Sequence, residues 1–301
     1  MSFYLGIDGG GTKTTCIVGD DHAELARAEG AGSNVIRVGE DAARIALGSA
    51  ISGACAKANI DPAKITRTVA GIAGVGTVDI RQFLSLALSD IVSGEVRVVS
   101  DAEIALYAAF GDSPGVVVIA GTGSIALGQN DSFQKKTARA GGWGWAISDE
   151  GSGPWIGRAA VAAILQARDR GTIAQLEHPV LRAWQVESVE QLVRRSNAIP
   201  PPDFGTLLRD VVATADAGDN FATAILAQAG YELANLAQIA AARIFPPTAT
   251  IQVAMSGGVF AHAPHVREAF TQSLQTELPN ATVRPELGDP ALGALQMARR
   301  D

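Results

Sequence analysis

The sequence predicts an α/β protein in which one unit of strands and helices is built twice, the second time with a helical insertion. Two observations predict this class. Glycine-rich turns occur in both halves of the chain, at residues 9–12 and 121–124, each between two strand-like apolar runs. The alternation of strands and helices in the first half then resumes near residue 250, which indicates a second copy of the same unit.

The first glycine-rich turn, residues 8–13, differs from the common helical nucleotide loops. The residues after Lys13 are β-branched or apolar and favour a strand. A Walker loop and a Rossmann fingerprint both need a helix there, so both are excluded. Glycines without β-carbons let backbone N–H groups approach an anion, whereas the ordinary alternative is a turn that only reverses the chain. Three successive glycines followed by Thr12 are more than a chain reversal requires, so this pattern favours anion binding.

The first half, residues 1–112, is predicted to follow the order βββαβαβα. Its strands are predicted within residues 3–31, which hold three, and at 68–73 and 95–100. Its helices are predicted at residues 41–59, 79–92 and 102–110. The first helix has a predicted packing face made of Ile45, Ala46, Ser49, Ala50 and Gly53.

The second half, residues 113–301, is predicted to repeat this unit around a mainly helical insertion at about 154–245. Apolar runs at residues 116–119 and 251–255 match the inner strands of a parallel sheet, which bury both faces. After the insertion, alternating strands and helices are predicted at residues 250–255, 265–277, 282–284 and 290–300. The last helix could pack back on the first domain, and a cleft between two such units is a natural ligand site.

Composition excludes several functional classes. A length of 301 residues suffices for two domains with sizeable cores. The formal net charge of −7 argues against general affinity for nucleic acid or an anionic membrane surface. No segment approaches the roughly 18 uninterrupted apolar residues of a membrane span, so we expect a cytoplasmic protein. Cys16 and Cys55 form no CxxC pair, and neither a zinc site nor an iron–sulfur cluster within one chain is indicated.

Six short motifs follow one another along nearly the whole chain. They are Asp8-Gly9-Gly10-Gly11-Thr12, Asp101 after a strand, Gly121-Thr122-Gly123-Ser124, Gly141-Gly142-Trp143-Gly144, Ser148-Asp149-Glu150-Gly151-Ser152-Gly153 and Ser256-Gly257-Gly258-Val259. In this order they resemble the actin/hexokinase/Hsp70 ATPase superfamily, and more closely its BadF/BadG/BcrA/BcrD-type branch with the N-acetylglucosamine and glucosamine kinases. The resemblance implies two ribonuclease H-like (actin-like ATPase) domains, residues 1–112 and 113–301, with a cleft between them.

The resemblance also implies ATP and Mg²⁺ as cofactors, bound between the domains. Phosphate contacts are then expected from Gly10, Gly11, Thr12, Thr122 and Gly123. Gly257 and Gly258 are expected at the adenosine and Gly205 at the adenine, although each glycine could serve only its own turn. Asp8, at the end of the first strand, is expected to orient Mg²⁺ or its waters, since this ion prefers oxygen ligands. The alternative for Asp8 is a carboxylate that caps its own turn.

Asp101 follows a strand and opens a helix, which leaves two interpretations. Asp is a favoured N-cap, and the segment Ser100-Asp101-Ala102-Glu103 suits a helix start without any catalysis. The resemblance places the proton acceptor of sugar kinases at this position. We therefore expect Asp101 to contact the substrate and to act as the general base for its 6-hydroxyl.

The segment from residue 141 to residue 153 has the composition of a sugar site, with an aromatic side chain between glycines and carboxylates nearby. Hydroxyl edges of a pyranose need hydrogen-bonding groups, and its C–H faces need an apolar platform. The resemblance places the sugar at Gly142, Trp143, Gly144 and Asp149, with Asn34 on the opposite wall.

Each of these side chains has an ordinary alternative. Trp143 could be a core anchor, and Asn34 could be a turn residue that tolerates a left-handed φ. Asp149 could be a solvated carboxylate or the cap of the next helix. Trp145 and Trp155 are predicted to be core residues, and the four histidines to have surface or cap roles because none has metal-ligand spacing.

Three functions are carried forward. The leading hypothesis is an ATP-dependent kinase for the 6-hydroxyl of N-acetylglucosamine or glucosamine. The second is a BadF-type activator ATPase, whose iron–sulfur cluster is held by cysteines of two subunits. Cys16 in a predicted strand and Cys55 in a predicted helix disfavour this role. The third is a non-catalytic nucleotide or sugar sensor. The resemblance implies a homodimer as the usual assembly, and the sequence leaves the acyl group of the sugar open.

Overall fold

The computed structural model describes residues 2–130 and 136–300. It contains two five-stranded sheets with helices packed on them, which confirms the predicted α/β class. The chain divides into two compact units, residues 1–117 with 288–301, and residues 118–287. The second unit is therefore inserted, in chain order, into the first.

The first unit contains the predicted order βββαβαβα. Its elements are β1 (Phe3–Gly9), β2 (Lys13–Gly19), β3 (Glu24–Ala31), α1 (Val35–Val38), α2 (Glu40–Ala58), β4 (Ile65–Ile72), α3 (Val78–Ser89), β5 (Glu95–Val99) and α4 (Asp101–Phe110). A 3₁₀ turn at Pro62–Lys64 precedes β4. The sheet order is β3-β2-β1-β4-β5. The first three strands pair antiparallel, and β4 is parallel to both β1 and β5.

Both faces of this sheet are buried. Cys16 and Val18 of β2 belong to the core cluster under α2 and α3, whereas Ile17 between them packs with Leu295 on the opposite face. The alternation follows from the two-residue period of a strand. The second face is covered by α4 together with the last helix of the chain, which contacts β1, β4 and α4.

The predicted packing face of α2 is partly wrong. Ala46 and Ala50 are buried as predicted, but Ile45 is 71 % exposed and Ser49 is also exposed. The buried face instead includes Leu47 and Ile51. Since α2 is rich in Ala and Gly, several of its faces look equally apolar in the sequence, and small residues do not distinguish among them.

The second unit repeats the arrangement with an insertion. Its elements are β6 (Gly115–Ala120), in which the unit boundary falls, β7 (Ser124–Gln129), β8 (Thr137–Gly141), α5 (Gly153–Asp169), α6 (Glu177–Ala183), α7 (Val189–Ser196), α8 (Leu208–Asp216), α9 (Asn220–Ala242), β9 (Ile251–Ser256), α10 (Gly258–His262), α11 (Pro264–Glu277) and β10 (Ala281–Leu287). A 3₁₀ turn at Phe204–Leu207 precedes α8. The sheet order is β10-β9-β6-β7-β8, which matches the first sheet strand for strand.

The last helix of the chain is α12 (Pro290–Arg300), which belongs to the first unit. It lies directly on β1, because a β-carbon added at Gly6 would be 2.3 Å from the backbone nitrogen of Leu295. The same helix meets α4 at Gly293, where an added β-carbon would be 2.4 Å from the carbonyl oxygen of Ile104. Glycine is therefore needed at both crossings.

Membrane-spanning helices are not found in the part of the chain that the structure describes, since none of its helices combines the necessary length with sufficient apolar character.

Candidate active site

The first glycine-rich turn joins β1 to β2. It is closed by the N–H of Gly10, which donates to the carbonyl oxygen of Lys13 at 2.9 Å. Among residues 2–130 and 136–300, the backbone N–H groups of Gly11 and Thr12 have no intramolecular partner. Two adjacent donors are thus available at a turn without bulky side chains, which is the arrangement that binds phosphate oxygens.

Asn34 is held beside this turn. The carbonyl oxygen of Gly10 accepts hydrogen bonds from the N–H groups of Ser33 at 3.0 Å and Asn34 at 3.2 Å. The Asn34 side chain accepts from the N–H of Ile36 at 3.1 Å and caps α1 with a φ of −67°. The left-handed alternative for Asn34 is therefore wrong. Opposite it, an added β-carbon at Gly74 would be only 2.7 Å from the Asn34 Oδ1 atom.

Asp8 lies one residue from the end of β1, and its neighbours are acidic. The pKa of Asp8 is raised to about 7, first by burial and then by the charge of Asp101. Asp289 raises the pKa further, whereas Lys13 lowers it. The two carboxylates that the sequence assigns to chemistry therefore lie close enough to repel each other. A divalent cation would relieve this repulsion, so the oxygen donors here fit Mg²⁺.

Asp101 is not the cap of α4. The cap is Ser100, whose side chain accepts from the N–H of Glu103 at 3.2 Å, while the Glu103 carboxylate accepts from the N–H of Ser100 at 2.9 Å. This is a complete capping box. Asp101 occupies the first helical position, with Oδ1 at 3.0 Å from the Ala102 nitrogen. The capping alternative for Asp101 is therefore wrong.

The second glycine-rich turn joins β6 to β7 in the other unit and repeats the features of the first. The N–H of Gly121 donates to the carbonyl oxygen of Gly123 at 2.9 Å. Within the described residues, the N–H groups of Thr122 and Gly123 have no intramolecular partner. The carbonyl oxygen of Gly121 accepts from the N–H of Gly153 at 2.9 Å, and Ser124 Oγ donates to the carbonyl oxygen of Glu150 at 2.7 Å.

Asp149 connects this turn to the loop that contains Trp143. It is 6 % exposed, and its φ is +63°. Its carboxylate accepts hydrogen bonds from the backbone N–H groups of Ser124 and Gly144, which lower its pKa, whereas burial, the largest effect, raises it. The cap of α5 is Ser152, which accepts from the N–H of Trp155. Both ordinary alternatives for Asp149, a solvated carboxylate and a helix cap, are therefore wrong.

The Trp143 loop projects aromatic side chains toward solvent. Gly142 and Gly144 have φ values of +70° and +104°, which glycine tolerates best. Trp143 is 69 % exposed, so the core alternative for it is wrong, and the Arg139 guanidinium lies 4.1 Å from its ring centroid. Trp145 was predicted to be core but is 46 % exposed. Trp155 is half-buried rather than a full core residue.

A cavity of about 480 Å³ adjoins this loop. Basic side chains dominate the polar part of its wall, and Trp143 forms an apolar part. Its lining residues are Lys136, Thr137, Ala138, Arg139, Trp143, Arg243 and Ile244.

The remaining predicted glycines also belong to the second unit. An added β-carbon at Gly257 would lie 2.4 Å from the carbonyl oxygen of Ala120, directly before the second turn. Gly205 lies beside Gly153, whose added β-carbon would be 3.6 Å from the Gly205 Cα atom. Thr122, Gly123, Gly205 and Gly257 therefore converge on one place. Gly258 begins α10, and an added β-carbon there would have no neighbour within 4 Å.

A family model for the BadF/BadG/BcrA/BcrD ATPase family matches residues 5–298. The chain belongs to this family. It is 28 % identical to an N-acetylmuramic acid/N-acetylglucosamine kinase from Clostridium acetobutylicum over 100 % of this chain and 99 % of that one. It is 29 % identical to an N-acetyl-D-glucosamine kinase from Dictyostelium discoideum over 98 % of this chain and 97 % of that one.

Two solved structures resemble this member of the BadF/BadG/BcrA/BcrD family over nearly their full length. A Chromobacterium violaceum protein provisionally named an N-acetylglucosamine kinase superposes with a TM-score of 0.80 at 28 % identity, covering 99 % of each chain. A glucokinase of the ROK family from Streptomyces griseus superposes with a TM-score of 0.64 at 16 % identity over the full length of both chains. The similarity to the Streptomyces griseus glucokinase shows a shared fold and nothing more.

Two residues of this BadF/BadG/BcrA/BcrD protein were missed as site residues. Asp289 directly precedes the helix predicted at residues 290–300, and its Oδ1 accepts from the N–H of Leu292 at 3.2 Å. It also accepts from Arg27 at 2.7 Å, and its charge acts on Asp8. Arg158 lies near Asp149 and stacks on Trp145 at 5.9 Å. No local sequence pattern signals either contact.

No group of three His, Cys, Asp or Glu side chains in residues 2–130 and 136–300 is arranged to hold a metal ion alone. Mg²⁺ is usually coordinated by only one or two protein carboxylates, and phosphates and water complete its coordination shell. Asp8 is the residue of this family member that fits such an ion, and Asp101 and Asp289 add negative potential beside it.

Proposed function

We propose that this protein is an ATP-dependent amino-sugar kinase that phosphorylates the 6-hydroxyl of N-acetylglucosamine or glucosamine. The observation that carries the proposal is the position of Asp101. Its helix is capped by Ser100, so capping does not account for the carboxylate, and it lies near enough to Asp8 to raise that pKa. A general base beside a carboxylate that can hold Mg²⁺ is what phosphoryl transfer to a hydroxyl requires.

The phosphate groups of ATP are proposed to bind at the two glycine-rich turns. The N–H groups of Gly11 and Thr12 are free in one turn, and those of Thr122 and Gly123 in the other. Fixed backbone dipoles stabilise negative charge that spreads over phosphate oxygens during transfer. Gly10 shapes the first turn through its bond to Lys13, which leaves its carbonyl to hold Asn34.

Mg²⁺, when bound near Asp8, neutralises charge on the phosphates and polarises the transferred group. Asp8 is proposed to orient the ion or its waters. Asp101 is proposed to accept the proton of the sugar 6-hydroxyl, a role that it can perform only as a carboxylate.

The sugar is proposed to contact Asn34, Asp101 and the loop of Gly142, Trp143 and Gly144. Asp149 stays a predicted sugar ligand, because a carboxylate that accepts two backbone bonds retains lone pairs for a hydroxyl. Gly205, Gly257 and Gly258 stay predictions for the adenosine. The kinases from Clostridium acetobutylicum and Dictyostelium discoideum support the choice of an amino sugar.

The activator ATPase is disfavoured by the state of the cysteines. Cys16 is 0 % exposed and Cys55 is 1 % exposed. Burial raises the pKa of both thiols, in Cys55 to about 11. A cluster bridging two subunits needs exposed thiolates, so neither cysteine suits that role.

A coupled ADP-release assay with glucosamine, N-acetylglucosamine, N-acetylmannosamine, N-acetylmuramate and glucose tests the proposal. Turnover that depends on one of the amino sugars, and that falls to near background in Asp101→Asn, is the expected result. Asp79→Asn is the matched control, because Asp79 also lies in the first turn of a helix and is exposed. If the rate of ATP hydrolysis is the same with and without every sugar, the ATPase hypothesis is favoured instead. If there is no turnover at all, the hypothesis of a non-catalytic sensor is favoured.

Homodimerisation stays a prediction from the resemblance, and a cytoplasmic location stays a prediction from the sequence. Size-exclusion chromatography with light scattering tests the first: a mass twice that of the 31.0 kDa chain is expected.

A further inference from the structure

The helical insertion of the second unit contains a buried tryptophan that two of its helices hold in place. Trp184 directly follows α6 and is 2 % exposed. Its carbonyl oxygen accepts a hydrogen bond from the Arg195 Nη1 atom of α7 at 2.8 Å. The Arg195 guanidinium also lies 5.4 Å from the centroid of the Trp184 ring. The backbone and the ring of Trp184 are therefore both in contact with α7.

The Trp184 side chain holds the 3₁₀ turn at Phe204–Leu207 through two contacts. Its ring packs edge-to-face on Phe204, with 5.1 Å between the ring centroids and an interplanar angle of 61°. Its indole N–H, which needs a partner when buried, donates to the Thr206 Oγ1 atom at 3.1 Å. That hydroxyl in turn donates to the carbonyl oxygen of Asp203 at 2.7 Å. Gly205 lies between the two residues that Trp184 contacts, so these contacts determine its position.

On its other side the same turn lies against the start of α5. An added β-carbon at Gly157 would collide with the carbonyl oxygen of Phe204, and one at Gly153 would be 3.6 Å from the Gly205 Cα atom. The N–H of Gly153 donates to the carbonyl oxygen of Gly121, in the second glycine-rich turn, at 2.9 Å. The 3₁₀ turn is thus held between the insertion and the helix that is bonded to the second glycine-rich turn.

The backbone polar groups of Gly205 are engaged within the turn. Its N–H donates to the Asp203 Oδ1 atom at 3.0 Å, and its carbonyl oxygen accepts from the N–H of Leu208. Gly205 is only half-buried, and it has no side chain. What it presents to a ligand is therefore the surface of its Cα atom, which a planar ring can approach closely.

We propose that Trp184 is a positioning residue for the base of the bound nucleotide. Through Phe204 and Thr206 it determines where the Cα surface of Gly205 lies relative to the second glycine-rich turn. This inference rests on the proposed function, in which Gly205 contacts the adenine and the turn contacts the phosphates. It gives α6 and α7 of the insertion a specific role, which is to determine how tightly the base is bound and not how tightly the phosphates are bound.

Binding of ADP and of inorganic tripolyphosphate, each with Mg²⁺, separates the base from the phosphates. Thr206 is exposed, so Thr206→Val removes the acceptor of the indole N–H at a position that tolerates substitution. We expect this variant to raise the Kd of ADP about five-fold and to leave the Kd of tripolyphosphate unchanged, as measured by calorimetric titration. Thr206→Ser keeps the hydroxyl and is expected to bind ADP like wild type. Trp184→Phe is expected to weaken ADP at least as much as Thr206→Val.

Steady-state kinetics and a stability control test whether the effect is specific. Thr206→Val is expected to raise KM for ATP with kcat and KM for the sugar unchanged. Leu274→Val is the control for general destabilisation, because Leu274 is fully buried in α11 of the same unit. It is expected to lower Tm without changing the Kd of ADP. If Thr206→Val or Trp184→Phe weakens ADP and tripolyphosphate equally, or weakens neither, the proposal is overturned.

A double-variant cycle assigns the effect to the contact between the two side chains. Thr206→Val is expected to change the Kd of ADP less in the Trp184→Phe background than in wild type, because the indole donor is already absent there. Equal changes in both backgrounds would contradict the proposal. If Trp184→Phe does not fold, the Thr206→Val and Thr206→Ser pair decides alone.

The ADP measurement also separates this inference from the proposed function. If wild type binds ADP but phosphorylates no sugar, the proposed function fails, while the ADP affinities of the variants still decide the role of Trp184. If wild type does not bind ADP at all, the inference about Trp184 is itself wrong.

Discussion

Ser100 and Asp101 are adjacent, yet the structure gives them separate tasks. The hydroxyl of Ser100 caps α4 in a capping box, and the Asp101 carboxylate stands one position further along the helix. Because Ser100 is the cap, the Asp101 carboxylate is not the group that caps α4. The proposed general base is therefore located at a helix start whose cap is a different residue.

This separation gives opposite predictions for the two neighbours. Ser100→Ala is expected to lower the free energy of unfolding by about 1 kcal/mol with little effect on kcat. Asp101→Asn is expected to lower kcat by about 10²- to 10⁴-fold with little effect on stability. Urea unfolding and steady-state kinetics on both variants check the prediction. A large loss of stability in Asp101→Asn alone would return Asp101 to a structural role.

Asp8 gives a pH-dependent prediction. Its pKa rises from an ordinary value of 3.8 to about 7 in the fold, so folding favours the protonated form. Stability is then lost as pH rises from about 4 to about 7, and ionised Asp8 costs about 2 kcal/mol at pH 8 after allowance for partial exposure. Asp8→Asn is expected to be more stable than wild type at pH 8 and no more stable at pH 4.

Thermal unfolding at the two pH values measures the difference. Mg²⁺ with a nonhydrolysable nucleotide is expected to reduce the difference at pH 8, since the cation compensates the charge. If Asp8→Asn were more stable than wild type by the same amount at pH 4 and pH 8, the difference in stability would not come from repulsion and burial of the Asp8 charge.

Several contacts among the candidate site residues could not be predicted from the sequence. Asp8 was predicted because it lies at the end of a strand, and the turn glycines were predicted from the local composition. Asp289, by contrast, reaches the neighbourhood of Asp8 from the far end of the chain. Asp149 accepts hydrogen bonds from two backbone N–H groups, and its φ is +63°, a backbone conformation that Asp adopts only sometimes. Long-range contacts and unusual dihedrals leave no local pattern.

At the scale of elements, the crossing of α12 over β1 determines how closely the first unit packs. Gly6→Ala places a methyl group within 2.6 Å of backbone atoms of Leu295 and Ala291, so α12 must move. We expect a loss of roughly 2 kcal/mol or more in the free energy of unfolding. Gly76→Ala is the matched control, because an added β-carbon there has no neighbour within 4 Å. Equal stability of the two variants in urea would contradict the described crossing.

Besides the four-residue α1, the strand β8 and the helix α10 were not predicted, for different physical reasons. β8 is short and lies at a sheet edge, and its residues alternate between exposed and buried with Arg139 among them. Such a strand has little of the apolar character that marks the inner strands. α10 has five residues and starts at a pair of glycines, which in isolation favour a turn. The long, periodic helices and the apolar inner strands carried enough local signal to be predicted.

At the scale of the whole molecule, the first unit is discontinuous in sequence. Residues 1–117 form its sheet, and 288–301 supply the helix that covers one face. A chain that stops after Leu287 is expected to lose cooperative unfolding of the first unit, because Val69, Ile104 and Ile17 lose apolar partners on α12. Hydrogen exchange measures this, and amides of the second unit are the internal control. Undiminished protection in β1 and β4 would contradict it.

The same discontinuity sets an order for biosynthesis. The ribosome translates all of residues 118–287 before it reaches α12, so the inserted unit can complete its core while the enclosing one still lacks a helix. Until then the nascent polypeptide presents an apolar sheet face that α4 covers only in part, and chaperones recognise exposed apolar surface of this kind. Interrupted translation would leave this face exposed, and we expect such chains to be removed by proteolysis faster than those whose final helix has docked.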